Sequence, residues 1–146
     1  DALTAGATAD DVFYYKAAGA TSTLTITVTG LGPLAANDTG TVNEDATVTG
    51  TGSVTGTGVL GNDDNGGSAY ESEDSTLRVT QAKPDGGSYT TVASGSSANI
   101  SGTYGTLTLY STGQYSYTPD NTTAQALTDG ATATETFVYE IKMMPM

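Results

Sequence analysis

The chain contains no cysteine, no histidine and no tryptophan. Without cysteine, it can form neither disulfides nor thiolate metal sites. Without histidine, it lacks the commonest general base and the usual partner of a nucleophilic serine. Carboxylates alone can still support glycoside hydrolysis, but the acidic residues here cluster in loop-like stretches instead of standing singly at strand ends. We therefore predict that the protein is not an enzyme.

Basic residues are scarce as well. Lysine and arginine together number 4 against 16 aspartates and glutamates, which gives a formal charge of −12. Nucleic-acid binding needs a basic surface, so no nucleic-acid partner is expected, and anionic membranes are disfavoured for the same reason. Such an acidic excess indicates solubility in salt or the binding of a cation such as Ca²⁺, which relieves the repulsion between carboxylates.

Long apolar runs are missing, and none would span a bilayer as a helix. Only 36% of the residues are hydrophobic. They alternate with polar residues in short runs bounded by Gly, Asn, Asp and Pro, which is typical of strands joined by turns. A length of 146 residues suits one domain with an additional piece.

Several short strands can be predicted from this alternation. The clearest is "STLTITVT" at 22–29, where Leu24, Ile26 and Val28 share one face and threonines the other. Residues 104–119 predict a hairpin with its turn at Thr112 and Gly113. Other predicted elements are strands at 41–48, 53–60, 76–82, 89–93 and 135–141, with one helical turn within 124–130. This pattern indicates an all-β protein, an antiparallel β-sandwich.

A short unit occurs near each end of the sequence. The stretch "DALTAGATADDVFYY" (1–15) agrees with "QALTDGATATETFVY" (125–139) at nine of fifteen positions when the offset is 124. The shared residues include Phe13 with Phe137 and Tyr15 with Tyr139. The chain therefore begins with a partial copy of a segment that it also carries near residue 139.

Two longer segments resemble a known repeat. The stretch "GTYGTLTLYSTGQYSYTPDNTTAQALTDGATATETFVYEI" (102–141) looks like the second half of a VCBS repeat, and "ANDTGTVNEDATVTGTGSVTGTGVLGNDDNGG" (36–67) is similar to the first half. VCBS repeats are bacterial cadherin-like or Ig-like repeats of large secreted adhesins. The resemblance implies an extracellular, cell-surface β-sandwich with structural or adhesive work, and frequent Ca²⁺ binding in loops and linkers.

The resemblance also suggests a division of the chain. Residues 1–30 are expected to be the closing part of a preceding repeat, 31–36 a linker, 37–141 an incomplete sandwich and 142–146 a tail. In the family pattern a strand like "TSTLTITVTG" follows the closing "FVYEI", whereas this chain continues with "KMMPM". We expect the N-terminal segment, with Leu24, Ile26 and Val28, to act as a donor strand that completes the sandwich of a neighbouring copy, giving a head-to-tail filament.

Two other functions remain open at this point. The chain is alternatively a Ca²⁺-stiffened spacer repeat of a giant tandem-repeat adhesin, or a carbohydrate-binding module that stacks tyrosines on surface glycans. Oxygen-bearing side chains on turns suit Ca²⁺, although they also shape turns without any ion. The calcium candidates are Asp38, Glu44, Asp45, Asn62, Asp63 and Asp64.

Overall fold

A computed structural model describes residue 3 and residues 6–52, 56–64 and 75–145 of the chain. Across these residues the protein is all-β, and every paired strand is antiparallel. This confirms the fold class expected from the alternating pattern. The strands are β1 (Thr8–Ala17), β2 (Ala20–Thr29), β3 (Val48–Gly50), β4 (Ser75–Pro84), β5 (Thr90–Thr91), β6 (Ser97–Ser101), β7 (Thr106–Tyr110), β8 (Tyr115–Thr118) and β9 (Phe137–Pro145).

The body of the protein is built from two sheets that share a core. One sheet has the order β3-β8-β7-β6 and the other has the order β5-β4-β9. Alternate residues of each sheet point inward, so that Leu109 of β7 and Val79 of β4 are both almost fully buried. The other members of this core are Val59, Leu60, Leu77, Ala82, Val92, Ile100 and Leu107. The arrangement is sandwich-like.

The first two strands form a separate two-stranded sheet. β1 and β2 pair over their full length, and neither has extensive contact with any other described strand. The turn between them consists of Ala18 and Gly19, both with positive φ (48° and 84°). A two-residue turn of this kind matches the twist of the strands it joins, so residues 8–29 make a hairpin closed by the pair Ala17 and Ala20.

Some predicted strands are found and others are not. The hairpin at 104–119 is β7 and β8, with Gly113 in the turn at φ 84°. The predictions at 41–48 and 53–60 were wrong over most of the described residues: only Val48 of the first segment lies in a strand, and residues 56–61 form bends and turns. Residues 53–55 lie outside the described residues. The expected helical turn within 124–130 is a series of turns, held in part by a bond from the Leu127 N–H to the Ala124 carbonyl.

The last strand extends further than expected. β9 continues through Lys142 and Met143 to Pro145, so residues 142–145, expected to form a tail, belong to the sheet and pair with the first half of β4. The segment expected to be a linker is also tied to the body, because Leu34 forms a β-bridge with Asp64. The Ala36 N–H donates to the Asp63 carboxylate at 2.7 Å.

Candidate functional site

The hairpin presents an exposed apolar row. Leu24, Ile26 and Val28 are 51%, 46% and 51% exposed, and Phe13 opposite Leu24 is 51% exposed. A sheet of two strands cannot bury its own face. The three residues predicted to form the donor strand therefore lie together on one face of β2, with roughly half of each side chain in contact with water.

The opposite face of the hairpin is polar along β2. Thr21, Thr23, Thr25 and Thr27 alternate with the apolar row, and the Thr27 hydroxyl donates to Asp10 at 2.7 Å. Threonine is favoured on an exposed pleated surface. Strand β2 is thus amphipathic, although Val12 and Tyr14 of β1 are also exposed on the threonine face.

A second candidate site is centred on the Tyr139 hydroxyl of β9. Its oxygen lies 2.9 Å from Asp38 Oδ2, 2.9 Å from the Val59 carbonyl and 3.0 Å from the Ala36 carbonyl. Both carboxylate oxygens of Asp63 lie at 3.3 Å. A phenol has one proton to donate, so this cluster holds more acceptors than the hydroxyl can satisfy at one time.

The electrostatics of the Tyr139 cluster follow from this crowding. Burial raises the pKa of the Asp38 carboxyl and the charge of Asp63 raises it further, while hydrogen bonds from Tyr139 and Asn62 lower it. The pKa of Tyr139 is raised, first by burial and then by its bond to Asp38 and the charges of Asp38 and Asp63. Two partly hydrated carboxylates therefore share one neutral donor.

The calcium candidates do not form a single group. Asp38 and Asp63 meet at Tyr139, and Asn62 is close by, donating to the Asn37 carbonyl at 3.0 Å. Asp64 pairs with Leu34 through its backbone. Glu44 and Asp45 lie in an exposed turn before β3, where the Glu44 carbonyl accepts from Gln125. Within the described part of the chain no cluster of three acidic side chains is placed to hold a metal ion.

Glu135 forms a third polar centre that the sequence did not indicate. Its carboxylate accepts from the backbone N–H groups of Thr103 and Tyr104 and from the Tyr117 hydroxyl, the last at 2.6 Å. Burial and Glu135 together raise the pKa of Tyr117. This carboxylate fixes the loop between β6 and β7 against the start of β9, which is a structural task.

Three of the six described tyrosines outside the hairpin pack against the body, whereas Tyr89 and Tyr110 are exposed. Tyr115, Tyr117 and Tyr139 lie against the hydrophobic core, and the Tyr117 ring meets Phe137 edge to face at 5.9 Å between centroids. Such cross-strand packing is the ordinary use of aromatic residues in a sheet. These three rings are not free to stack on a sugar.

No described segment is a helix of the length and apolar character needed to cross a membrane. Comparison with protein-family models, with curated proteins and with solved structures gives no match. The resemblance to VCBS repeats therefore stays a prediction from the sequence. The fold class rests on the structure itself, and the uncovered apolar row of β2 is the surface feature that most directly bears on function.

Proposed function

We propose that the protein is an extracellular structural subunit that assembles head to tail, its N-terminal hairpin supplying a strand to the sandwich of the next copy. The role requires no catalysis. The observation that carries the proposal is the apolar row of β2, which stands in a two-stranded sheet without a packing partner among the described strands. An exposed apolar row bounded by polar residues is a common mark of an interaction surface.

The energetic gain from covering this row is appreciable. Full burial of a Val, Leu or Ile side chain contributes about 1.5–3 kcal/mol. Because Leu24, Ile26 and Val28 are each about half exposed, covering them would contribute roughly 2–4 kcal/mol, on the same scale. Backbone pairing of the strand would add to this, and a heterologous contact of this kind can propagate along a filament.

An acceptor edge exists on the same chain. β9 is the outermost strand of the β5-β4-β9 sheet, and no described strand pairs with its other edge. An unpaired strand edge is a template for the addition of another strand. The chain thus carries both a strand with an uncovered apolar row and an edge able to receive one.

The proposal is tested by replacing the apolar row while keeping the strand. The native chain is expected to show a concentration-dependent rise in light scattering and to form filaments by electron microscopy. The triple variant Leu24→Thr, Ile26→Thr, Val28→Thr introduces residues that favour strands, and we expect it to show neither. The matched control Thr21→Ser, Thr23→Ser, Thr25→Ser changes the opposite face and should assemble normally. Filaments that persist in the apolar-row variant, or after deletion of residues 1–30, would contradict the proposal.

A second function, a Ca²⁺-stiffened spacer repeat of a tandem-repeat adhesin, is favoured by one observation. Asp38 and Asp63 converge on a single hydroxyl beside two carbonyl oxygens, and Ca²⁺ prefers such oxygen ligands. We expect Ca²⁺ to raise the melting temperature of the native chain and of the control Glu44→Gln, but not of Asp63→Asn. An equal response of all three, or no response to Ca²⁺ and EDTA, would count against a site here.

The two proposals also differ in the size of the natural product. A filament subunit is expected to have an intact mass near that of one unit, whereas a spacer repeat belongs to a giant chain. Intact-mass analysis of the protein from its source distinguishes them without any variant.

A further inference from the structure

The sequence unit that contains most of β1 recurs at residues 125–139, where it ends within the start of β9, and the two strands have different neighbours. At the offset of 124, Phe13 corresponds to Phe137 and Tyr15 to Tyr139. β1 pairs with β2, placing Phe13 opposite Leu24 and Tyr15 opposite Ser22. β9 pairs instead with β4. If β2 and β4 pair with opposite edges of this sequence unit, the free edge of β9 corresponds to the edge of β1 that is paired with β2.

The alternation of hydrogen-bonded and non-hydrogen-bonded pairs in the hairpin shows which backbone groups of β1 point toward β2. The two-residue turn makes Ala17 and Ala20 a hydrogen-bonded pair. Hydrogen-bonded and non-hydrogen-bonded pairs alternate along an antiparallel ladder. Tyr15 and Phe13 are therefore hydrogen-bonded positions, and their N–H and C=O groups point toward β2.

In β9 the corresponding residues direct their backbone groups away from the neighbouring strand, β4. The Thr136 carbonyl accepts from the Asp85 N–H at 2.9 Å, so residue 136 directs its backbone toward β4. Pro84, which has no N–H, lies opposite Phe137, as a non-hydrogen-bonded pair allows. Phe137 and Tyr139 consequently direct their N–H and C=O groups toward the free edge, just as Phe13 and Tyr15 direct theirs toward β2.

We infer that β2 of one copy pairs antiparallel with the free edge of β9 of a second copy in the register of the hairpin, with Leu24 opposite Phe137 and Ser22 opposite Tyr139. This inference rests on the proposed assembly and specifies its acceptor. Since β2 uses the same edge for both partners, β9 of the second copy takes the place of β1.

The side-chain faces agree with this register at Leu24, whereas Ile26 and Val28 fall opposite residues 135 and 133, before β9 begins. Phe137, Tyr139 and Ile141 pack against the core, and residues directly opposite each other in a ladder point to the same face. Leu24 would thus extend the core beside Phe137. A shift of one residue would turn the threonine row inward and the apolar row to solvent. β2 bears no charged residue, so it can approach Glu140 of this acidic chain without charge repulsion.

Residues 142 and 143 of β9 do not turn back to fill the edge. The positions that correspond to Ala18 and Gly19 are Lys142 and Met143, and these continue the strand opposite Arg78 and Leu77. Neither has positive φ. The tight turn that follows β1 is therefore absent at the equivalent position of β9, and no described residue after Ile141 pairs with this edge.

The register predicts one intermolecular pair suited to cross-linking. Tyr14 lies opposite Thr23, and Val138 occupies the position of Tyr14. Thr23 and Val138 would then form a non-hydrogen-bonded pair, whose Cα separation suits a disulfide. Both are on exposed faces. The chain has no cysteine of its own, so any disulfide must come from the introduced residues.

The test mixes two single variants, Thr23→Cys and Val138→Cys, oxidises the mixture mildly, and identifies the product on non-reducing gels and by peptide mass spectrometry. We expect a heterodimer joined through these two positions. The control mixture of Ser22→Cys with Val138→Cys places the thiols on opposite faces and should give no such product.

The outcomes separate the register from the assembly. Normal filament formation without the Thr23–Val138 disulfide would overturn the register while leaving assembly intact. A disulfide from a Tyr14→Cys and Lys83→Cys mixture would also overturn it, because β1 would then have displaced β9 from β4. Absence of both filaments and cross-links from all mixtures would refute the inference and the proposed function together.

Discussion

Removing the Tyr139 hydroxyl should destabilise the body of the protein measurably. In Tyr139→Phe the ring still packs on the core, but Asp38, Ala36 and Val59 lose the donor that lies 2.9–3.0 Å from their oxygens. A hydrogen bond to a charged acceptor contributes about 1.5–3 kcal/mol. Since the Asp38 carboxyl is only partly desolvated and most of the residue is in contact with water, we take the lower end, about 1.5 kcal/mol, or a fall in Tm of about 5 °C for a chain of this size.

The matched control is Tyr110→Phe. Tyr110 is exposed and its hydroxyl has no partner among the described residues, so its loss should change stability by less than about 0.5 kcal/mol. Both variants are compared by thermal melting and urea unfolding at pH 7 in EDTA. Equal stability of the two variants would refute the claim that the Tyr139 hydroxyl supports the cluster.

The pH dependence provides a second readout for Tyr139→Phe. The Tyr139 bond lowers the pKa of Asp38 by stabilising its charged form. Once Asp38 is protonated that contribution disappears, so the stability difference between the native protein and Tyr139→Phe should shrink as the pH falls through the pKa of Asp38. A difference that stays constant across that titration would show that the lost stability comes from packing instead.

Three further variants test other parts of the structure. Asp38→Asn removes the carboxyl whose pKa is raised in the folded state. In the native protein the folded state binds more protons than the unfolded state just above pH 3.8, so the unfolding free energy falls as the pH rises there. Urea unfolding at several pH values should show a flatter dependence of the unfolding free energy on pH for the variant. In Gly113→Ala, the added Cβ would sit 2.5 Å from Leu60 Cγ at φ 84°, so overpacking should cost about 1–3 kcal/mol more than in the control Gly86→Ala, whose φ is also positive but whose Cβ meets nothing; equal losses would contradict this. In Glu135→Gln, the donors of Thr103, Tyr104 and Tyr117 lose a carboxylate, which should cost about 1–3 kcal/mol and lower the pKa of Tyr117 in a spectrophotometric titration; an unchanged titration would argue against the contact.

The local alternation of apolar and polar residues predicted those strands that have one apolar face and turn-forming residues at their ends. β2 follows from the alternation of Leu24, Ile26 and Val28, and the β7–β8 hairpin follows from alternation around Gly113. β6, "SANIS", was missed because only Ala98 and Ile100 are apolar there, and its strand conformation depends on pairing with β7. Strand pairing with a distant segment leaves little local signal.

The polar sites were less accessible to sequence reasoning. Asp38 and Asp63 were chosen for their residue type and loop setting, but their meeting point, Tyr139, lies 101 and 76 residues away along the chain. Glu135 reaches Thr103 and Tyr104 across 32 and 31 residues of sequence. Nothing in a short window identifies such pairs, because they are brought together only when β9 closes the sheet. The repeat of 1–15 was the one long-range signal that the sequence displayed.

The two copies of that unit show how little a strand's own sequence determines its neighbour. Phe13 and Tyr15 specify a face and an edge, and Phe137 and Tyr139 specify the same ones, yet β1 receives β2 on that edge and β9 receives no described strand. The difference lies just beyond the unit, where Ala18 and Gly19 adopt positive φ and Lys142 and Met143 remain extended. Whether a tight turn follows the unit therefore determines which strand lies beside it, while the edge of the unit can accept the same partner strand in both cases. An acceptor edge and a matching strand then coexist on one chain. An exchange between molecules requires β1 to leave β2, and it then uses the same edge of β2 that is paired in the hairpin.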